Sequence, residues 1–325
     1  MSENIEFIPL AAESLGVRSM CTYVQTPDVK ILIDPGVSLG PRFGLLPHPR
    51  EYLCLKECRE KIARFANEAD IITISHYHFD HNTPTYTDYV WNFSDPKVAH
   101  QIYSKKTIIA KDFRSKINPS QRRRGWIFKK AIADYAKEII TADGKTFFFG
   151  NTSLRFSQPV SHGEDNTPLG WIIMLTIERG DLRFVHTSDI QGPISDKTLQ
   201  LLIAMHPTLV YLGGPPLYLL DYRYTKASLE HALKNTEKLV EEVSTVILDH
   251  HLLRAEGWRK TAKAVFETAK TAGHMVFTAA EYIEKTENSL ESIRKTLYQN
   301  EPPFKAFNEW TKLSIVKRKH EMPPI

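Results

Sequence analysis

Short hydrophobic runs separated by polar turns open the chain and predict β-strands at residues 5–9, 20–24 and 30–33. The third run continues into ILIDPG, where a Pro-Gly pair predicts a turn. From residue 51 to 68 the spacing changes, because Leu55, Ile62 and Phe65 recur with the period of a helix. The mostly apolar run ADIITIS comes next and predicts a short buried strand.

Strand and helix patterns alternate again after residue 145. Strands are predicted at 146–149, 153–156, 171–177, 182–186, 208–212, 245–248 and 275–278, and helices at about 226–243 and 258–271. The last 45 residues predict two helices, divided at Glu301-Pro302-Pro303. Strands that alternate with helices are typical of a layered α/β or α+β architecture.

The segment at about 86–140 differs from its surroundings in composition. Between residues 97 and 130 it carries eleven Lys and Arg side chains against one acid, Asp112, with aromatic side chains interleaved. Because its strand signals are weak, we predict a mostly helical, basic insertion. Such a surface suits phosphates and stacked bases, whereas a solvated helix with its aromatics packed on the main domain explains the same composition. The sequence leaves both interpretations open.

Length and composition narrow the class of protein. A chain of 325 residues, 42% of them hydrophobic, can bury one large core, so we predict a main domain over 1–285 and a helical extension over 286–325. The net charge of +4 by itself implies no nucleic-acid partner. An odd count of three cysteines predicts a reducing cytoplasm rather than a disulfide scaffold. Neither a signal peptide nor a membrane-spanning run is expected.

The chemistry is concentrated in HYHFDH, which directly follows the strand at 69–75. The loop holds His76, His78, Asp80 and His81. So many imidazoles and carboxylates in one short loop are costly to desolvate unless they bind something. These ligand types suit zinc, and also manganese, iron, cobalt or nickel. Two His at alternate positions can bind one ion while the following Asp and His turn to a second, so the loop predicts a metal site.

Further metal-competent side chains follow other predicted strands. TSLRFSQPVS precedes His162, LRFVHTS precedes Asp189, and STVIL precedes Asp249, His250 and His251. In layered α/β folds, binding sites lie at the carboxyl ends of strands. The separate segments are therefore expected to bring their side chains to one place.

HYHFDH, SHG, HTSD and DHH, in this order, resemble the ligand motifs of the metallo-β-lactamase superfamily, and ILIDPG resembles the acidic turn that precedes them there. The resemblance covers roughly residues 5–280, and the chain looks most like an uncharacterised archaeal branch of predicted metal-dependent hydrolases. It implies a four-layer αββα sandwich with two divalent metal ions at one edge, zinc in the first place and manganese or iron otherwise. The implied ligands are His76, His78 and His162 for the first ion, Asp80 and His81 for the second, and Asp189 as the bridge between them.

The resemblance leaves the last ligand open within the DHH stretch. ILDHHLLR resembles the LTH segment followed by Arg in relatives of ribonuclease Z, which favours His250. His251 would then support a ligand or face the substrate. Asp34, in ILIDPG, either orients a ligand His or simply starts a turn.

Two positions separate the chain from particular branches of the superfamily it resembles. Asp189 stands where several true β-lactamases carry Cys, which disfavours antibiotic hydrolysis. His78 stands where redox relatives with two irons carry Glu, which disfavours a di-iron oxygen or nitric-oxide reductase. The function that is left is hydrolysis by a metal-bound hydroxide.

The substrate is predicted less sharply than the reaction. A phosphodiester, or another phosphorylated or nucleic-acid substrate, is preferred; a small ester, thioester or lactone is the alternative, and a non-catalytic nucleic-acid-binding metal protein is a third. The resemblance implies that Asp80 or Asp189 accepts the proton. Four side chains are candidates for stabilising the developing oxyanion: Tyr77, His186, His251 and Arg254.

Overall fold

Two β-sheets form the centre of the structure, a computed structural model that describes residues 5–325. The six strands of the first sheet lie side by side in their order along the chain. The first three strands pair antiparallel, and each later strand pairs parallel to the one before it. These strands are β1 (Glu6–Pro9), β2 (Thr22–Gln25), β3 (Lys30–Ile33), β4 (Ile71–Ile74), β5 (Thr107–Ala110) and β6 (Glu138–Thr141).

The second sheet has seven strands in the order β15-β14-β13-β12-β11-β8-β7, and β9 and β10 form a separate two-stranded ribbon. From β12 to β15 all pairings are parallel. The nine strands are β7 (Thr146–Phe149), β8 (Thr152–Phe156), β9 (Val160–Ser161), β10 (Trp171–Ile172), β11 (Leu175–Arg179), β12 (Leu182–His186), β13 (Leu209–Gly213), β14 (Thr245–Asp249) and β15 (Met275–Phe277).

Helices cover the outer faces and connect the parallel strands. Within residues 5–325, no helix combines the length and the apolarity that crossing a bilayer requires. The α-helices are α1 (Pro49–Glu68), α2 (Pro96–Tyr103), α3 (Pro119–Ile132), α4 (Asp196–Ala204), α5 (Lys226–Glu242), α6 (Trp258–Thr261), α7 (Lys263–Ala272), α8 (Ala279–Tyr282), α9 (Arg294–Asn300), α10 (Lys305–Thr311) and α11 (Ile315–His320). Short 3-10 helices lie at Glu13–Leu15, Leu217–Leu219 and His250–Arg254.

Three hydrophobic clusters separate four layers. Side chains alternate between the two faces of a strand, so Leu32 of β3 faces α1–α3 while Ile31 and Ile33 face the second sheet. The middle cluster joins the two sheets, with Phe184 of β12 among its buried members. A third cluster lies between the second sheet and α4, α5 and α7. The predicted four-layer αββα sandwich is confirmed.

The segment at 86–140 is part of the sandwich and departs from the predicted insertion. Its helices α2 and α3 pack on the first sheet. Its strands β5 and β6 extend that sheet by parallel pairing from β4. The runs TIIA and EIIT are only four residues long, so their strand conformation depends on a paired neighbour rather than on a local pattern.

Some predicted elements are divided in the structure. The run at 171–177 is split between β10 and β11, and the helix expected at 258–271 is interrupted at Ala262. The C-terminal region breaks at Glu301-Pro302-Pro303 as predicted, but three short helices, α9–α11, take the place of two long ones. Phe307 and Trp310 of α10 are buried in the hydrophobic cluster between the first sheet and α1–α3, which we call the outer hydrophobic cluster. Their rings lie against Tyr52 of α1.

Candidate metal centre

Strand β4 is buried along its whole length, and the HYHFDH loop begins just after its carboxyl end. The chain turns tightly there, because the backbone N–H groups of His81 and Asn82 both donate to the carbonyl of His78 at 3.0 Å. The Pro-Gly turn of ILIDPG packs against this loop. A Cβ atom on Gly36 would lie 2.3 Å from the backbone nitrogen of His81, so only glycine allows this close approach.

A first group of ligand atoms comes from three separate segments. His76 and His78 of the loop, His162 after β9 and Asp189 after β12 each offer an atom, and these atoms lie within 4.8 Å of one another. Nε2 of His76 is 3.1 Å from Nδ1 of His78, and Nε2 of His162 is 2.9 Å from Oδ2 of Asp189. The structure thus brings together all four side chains that the sequence assigns to the first ion and the bridge.

A second group adjoins the first through Asp189. Asp80, His81 and His250 offer atoms within 4.8 Å of one another. Nε2 of His250 lies 3.6 Å from Oδ2 of Asp189 and 3.9 Å from Oδ2 of Asp80. Asp189 is therefore placed between the two groups, as a bridging carboxylate would be.

Several of these polar atoms are buried without a hydrogen-bond partner among the described residues. They are Nε2 of His81, Nδ1 of His162, Oδ1 of Asp189 and Nε2 of His250. Burying a polar group without a partner costs free energy, so such atoms are rare and call for a ligand. Orphaned imidazole nitrogens around shared carboxylates are the donor set that zinc and similar divalent ions take, and the residues present fit such ions.

Asp34 holds one side of the loop in place. One carboxylate oxygen lies 2.8 Å from Nδ1 of His81, and the other accepts the backbone N–H of Ser75 at 2.7 Å. The hydroxyl of Ser75 in turn lies 3.0 Å from Nδ1 of His76. The structure gives Asp34 both roles that the sequence left open. The contact between its carboxylate and Nδ1 of His81 leaves Nε2 of that ring free to face the cluster. The carbonyl of Asp34 also starts a turn, where it accepts the N–H of Gly36 at 2.7 Å.

Glu13 orients His250 as Asp34 orients His81, and the sequence analysis did not identify this residue. Its carboxylate lies 2.9 Å from Nδ1 of His250 and accepts from Nε of Arg254 at 2.7 Å. Glu13 precedes His250 by 237 positions and sits in a short 3-10 turn, where it is 4% exposed. Nothing in the local sequence ESL distinguishes it from a solvated glutamate, so only the folded chain reveals its position.

His251 also contacts Asp189, and a tyrosine holds its other ring nitrogen. Its Nε2 is 2.9 Å from Oδ2 of Asp189, and its Nδ1 is 2.9 Å from the hydroxyl of Tyr218, whose ring stacks on the imidazole. Arg254 donates to the same hydroxyl at 3.0 Å. Tyr218 belongs to GGPPLYL, so this segment forms a wall of the site, and the tyrosine itself is a second residue that the sequence did not single out.

The electrostatic environment keeps several imidazoles neutral. Burial, reinforced by neighbouring imidazoles, lowers the pKa of His76 well below its usual value and the pKa of His78 to about 3. Burial likewise lowers the pKa of His251 to about 3, with the Arg254 charge acting in the same direction. Neutral rings offer lone pairs, which is the form that binds a metal ion.

Asp80, Asp189 and His250, in contrast, are held in their charged forms. Burial favours the protonated form of Asp80 and Asp189, but the surrounding histidines outweigh burial and lower both pKa values, so both groups stay ionised. Burial alone would lower the pKa of His250, yet Glu13 and Asp189 outweigh it and raise the pKa to about 10. A metal ion at Nε2 of His250 must therefore displace a proton.

Two candidates for oxyanion stabilisation lie away from the cluster, and these predictions were wrong. The hydroxyl of Tyr77 donates to the carbonyl of Lys111 within the outer hydrophobic cluster. His186 donates from Nε2 to the carbonyl of Met20 and accepts the N–H of Ser188 at Nδ1, so both of its nitrogens are used inside the core. His251 and Arg254 do face the site.

Comparison with known proteins gives a consistent picture. Residues 17–234 match the family described as beta-lactamase superfamily domain. A UPF0282 protein of Methanopyrus kandleri is 43% identical over 89% of this chain and 98% of its own length. A UPF0282 protein of Methanocaldococcus jannaschii is 42% identical over 91% of this chain and 97% of its own. Among solved structures, CmlA, a diiron beta-hydroxylase from Streptomyces venezuelae, superposes with a TM-score of 0.50 at 12% identity over 86% of this chain and 53% of that one.

The structural likeness bears on the fold alone, whereas the sequence matches bear on the family. The matched residues 17–234 include the HYHFDH loop, His162 and Asp189. The two archaeal relatives are matched over nearly their whole length. The chain therefore belongs to the beta-lactamase superfamily and, within it, to the archaeal UPF0282 proteins.

Proposed function

We propose that the protein is a dinuclear metal-dependent hydrolase acting on a phosphodiester or another phosphorylated substrate, nucleic acid included. The observation that carries the proposal is the ring of buried, unpartnered imidazole and carboxylate atoms around Asp189. When bound, two divalent ions, zinc in the first place and manganese or iron otherwise, supply an acidified water and positive charge for the leaving oxygen.

The chain's own residues divide into two sets of proposed ligands. A structural metal needs only one closed coordination sphere, whereas the cluster offers donors for two ions that share a carboxylate, which favours catalysis. We assign His76, His78 and His162 to one ion, Asp80, His81 and His250 to the other, and Asp189 to both.

Two of the proposed ligands and two neighbouring side chains are proposed to handle substrate and protons. Either Asp80 or Asp189 is proposed to accept the proton released when water attacks, because each offers a carboxylate oxygen within the cluster. His251 is held against Asp189 by Tyr218, and the guanidinium of Arg254 stands 3.6 Å from Asp80. This arrangement supports a role for the Arg254 charge and the His251 imidazole in stabilising the developing oxyanion.

The preference for phosphate rests on the position of helix α3. It carries five Lys and Arg residues and no acid, and Nη1 of its Arg124 lies 3.5 Å from the carbonyl of Tyr77 in the HYHFDH loop. A cationic helix beside the candidate metal centre attracts polyanions and phosphate esters. It gives no comparable advantage to a neutral ester, thioester or lactone.

The experiment that tests the proposal begins with metal content. Elemental analysis of protein purified without chelator or metal-affinity tag should give near two equivalents per chain, and Asp189→Ala should lose at least one. Exposed Asp181→Ala is the matched control and should retain both equivalents. Less than half an equivalent, also after incubation with zinc or manganese, would overturn the proposal.

Activity is then compared between two kinds of substrate. Metal-loaded protein should release nitrophenol from bis(p-nitrophenyl) phosphate, and Asp189→Ala should reduce the rate by at least a hundredfold. Hydrolysis of p-nitrophenyl acetate or a thioester without any of the phosphodiester would refute the proposed substrate while keeping the proposed reaction.

A further inference from the structure

A cavity of about 670 Å³ lies between helix α3 and the outer side of the HYHFDH loop. Its volume falls in the range of roughly 300–1,000 Å³ that is usual for small-molecule sites. One face of α3 lines one side of the cavity, with Ser120, Arg123, Arg124, Ile127 and Phe128 at helical spacing and Pro119 at the start of the helix. Phe79 of the loop and four residues of the segment that follows it, Asn82, Pro84, Thr85 and Tyr86, supply the opposite wall.

The walls combine flat apolar groups with positive charge. Phe79, Tyr86 and Phe128 contribute aromatic rings, and Phe79 and Tyr86 meet edge to face with centroids 5.8 Å apart. Arg124 lies over the ring of Phe79 at 4.7 Å. Neither Arg123 nor Arg124 forms an ion pair among residues 5–325, and no Asp or Glu lines the cavity there.

The cavity is joined to the candidate metal centre through the loop they share. Phe79 stands between two of the proposed ligands, His78 and Asp80, in the sequence. Asn82, which also lines the cavity, donates from Nδ2 to the carbonyl of His78 at 3.0 Å. A molecule in the cavity therefore lies beside the same loop that carries the metal ligands.

We propose that this cavity binds an organic phosphate, with an aromatic ring of the ligand packed among the phenyl and phenol side chains and its phosphate held by Arg123 and Arg124. The inference rests on the proposed function and gives that function a substrate class. Guanidinium groups bind phosphate oxygens through paired hydrogen bonds. Aromatic walls stack on a planar ring whatever its exact structure. The shared chemistry is a nucleotide, either free or at the end of a nucleic acid strand.

Binding by calorimetry tests the cavity without reference to catalysis. Adenosine 5′-monophosphate should bind the metal-loaded protein at least tenfold more tightly than inorganic phosphate or adenosine does, since only the nucleotide uses both walls. Arg123→Gln and Ile127→Trp, both at exposed positions, should each weaken that binding about tenfold. Arg122→Gln, on the same helix but outside the lining, is the matched control and should bind as the parent protein does.

The possible results distinguish a failure of the cavity assignment from a failure of the proposed function. If the nucleotide binds no more tightly than phosphate alone, or if Arg122→Gln and Arg123→Gln weaken it equally, the cavity assignment is overturned while phosphodiesterase activity can still stand. If nucleotide binding depends on Arg123 in protein that takes up less than half an equivalent of metal after incubation with zinc or manganese, the cavity stands and the proposed function falls. A 5′-phosphorylated oligoribonucleotide identifies the source of the nucleotide. If it binds more tightly than the mononucleotide and its binding depends on Arg123, the cavity binds the end of a strand. If it binds equally or more weakly, the cavity binds a free nucleotide.

Discussion

At the scale of single residues, two adjacent histidines after β14 face Asp189 in different ways. Nδ1 of His250 is held by Glu13, and its Nε2 has no hydrogen-bond partner within residues 5–325, whereas His251 already uses both nitrogens. We therefore expect His250→Ala to lose about one metal equivalent per chain. His251→Ala should keep two equivalents and lower kcat by roughly a hundredfold. Elemental analysis with steady-state kinetics checks both, and the reverse pattern would make His251 the ligand.

Glu13 is expected to tune metal affinity although it offers the cluster no ligand atom. Its charge orients His250 and compensates Arg254 in a buried setting. Removing such an outer partner typically weakens metal binding 10–100-fold, and we expect Glu13→Gln to do so in a chelator competition with zinc. Glu60→Gln is the control, because Glu60 is exposed and its ion pair is with Lys56, one turn away on the same helix. Unchanged affinity would mean that the Glu13 carboxylate is structural only.

At the residue scale, the sequence pointed to side chains that the structure brings together where the signal is local, and it missed those whose partners are distant in the chain. HYHFDH could be recognised because four candidate ligands stand within six positions. His162 and Asp189 could be added because each follows a strand. Glu13 and Tyr218 could not, because their partners lie 237 and 33 positions away and only the packed sheets bring them near.

At the scale of elements, the HYHFDH loop depends on the turn that follows β3. A Cβ on Gly36 would meet the backbone of both His81 and Asn82 at 2.3 Å, and neither can move without displacing a proposed ligand. Gly36→Ala should therefore lower the free energy of unfolding by about 1–3 kcal/mol and reduce metal content. Gly44→Ala, at a positive φ with no described atom within 4 Å of the added Cβ, should cost about 1–2 kcal/mol and leave metal content unchanged. Denaturant titration and elemental analysis measure the two effects.

Strands with a strong local pattern were predicted well, and those that depend on pairing were not. The runs at β1, β3 and β7 were predicted within one residue of their observed bounds. In contrast, β5 and β6 lie in a stretch whose basic composition suggested an insertion, and their strand conformation comes from parallel pairing beside β4. Composition thus described the surface of this segment correctly but not its place in the fold.

At the scale of the whole molecule, the C-terminal helices are tied into the main domain. Arg294 of α9 forms a buried pair with Glu51 of α1 at 2.8 Å, and Glu291 pairs with Arg18 near the N-terminus. Phe307 of α10 is fully buried against α1. The sequence could not tell whether this region covers the site or only packs, because the partners of these charges lie more than 240 positions away.

The pair of Arg18 and Glu291 predicts an acid-sensitive contribution to stability. Burial would raise the pKa of Glu291, but Arg18 outweighs burial and lowers the pKa from 4.5 to about 2. A carboxylate with a lowered folded pKa stabilises above its unfolded pKa, and the contribution is lost as pH falls from about 4.5 towards 2. In metal-free protein, Glu291→Gln should lower the free energy of unfolding by about 3 kcal/mol at pH 6 and by about half as much at pH 3. Glu309→Gln, at an exposed position, is the control and should change the free energy of unfolding little at either pH. If Glu291→Gln lowers the free energy of unfolding equally at both pH values, Glu291 contributes through packing and not through charge.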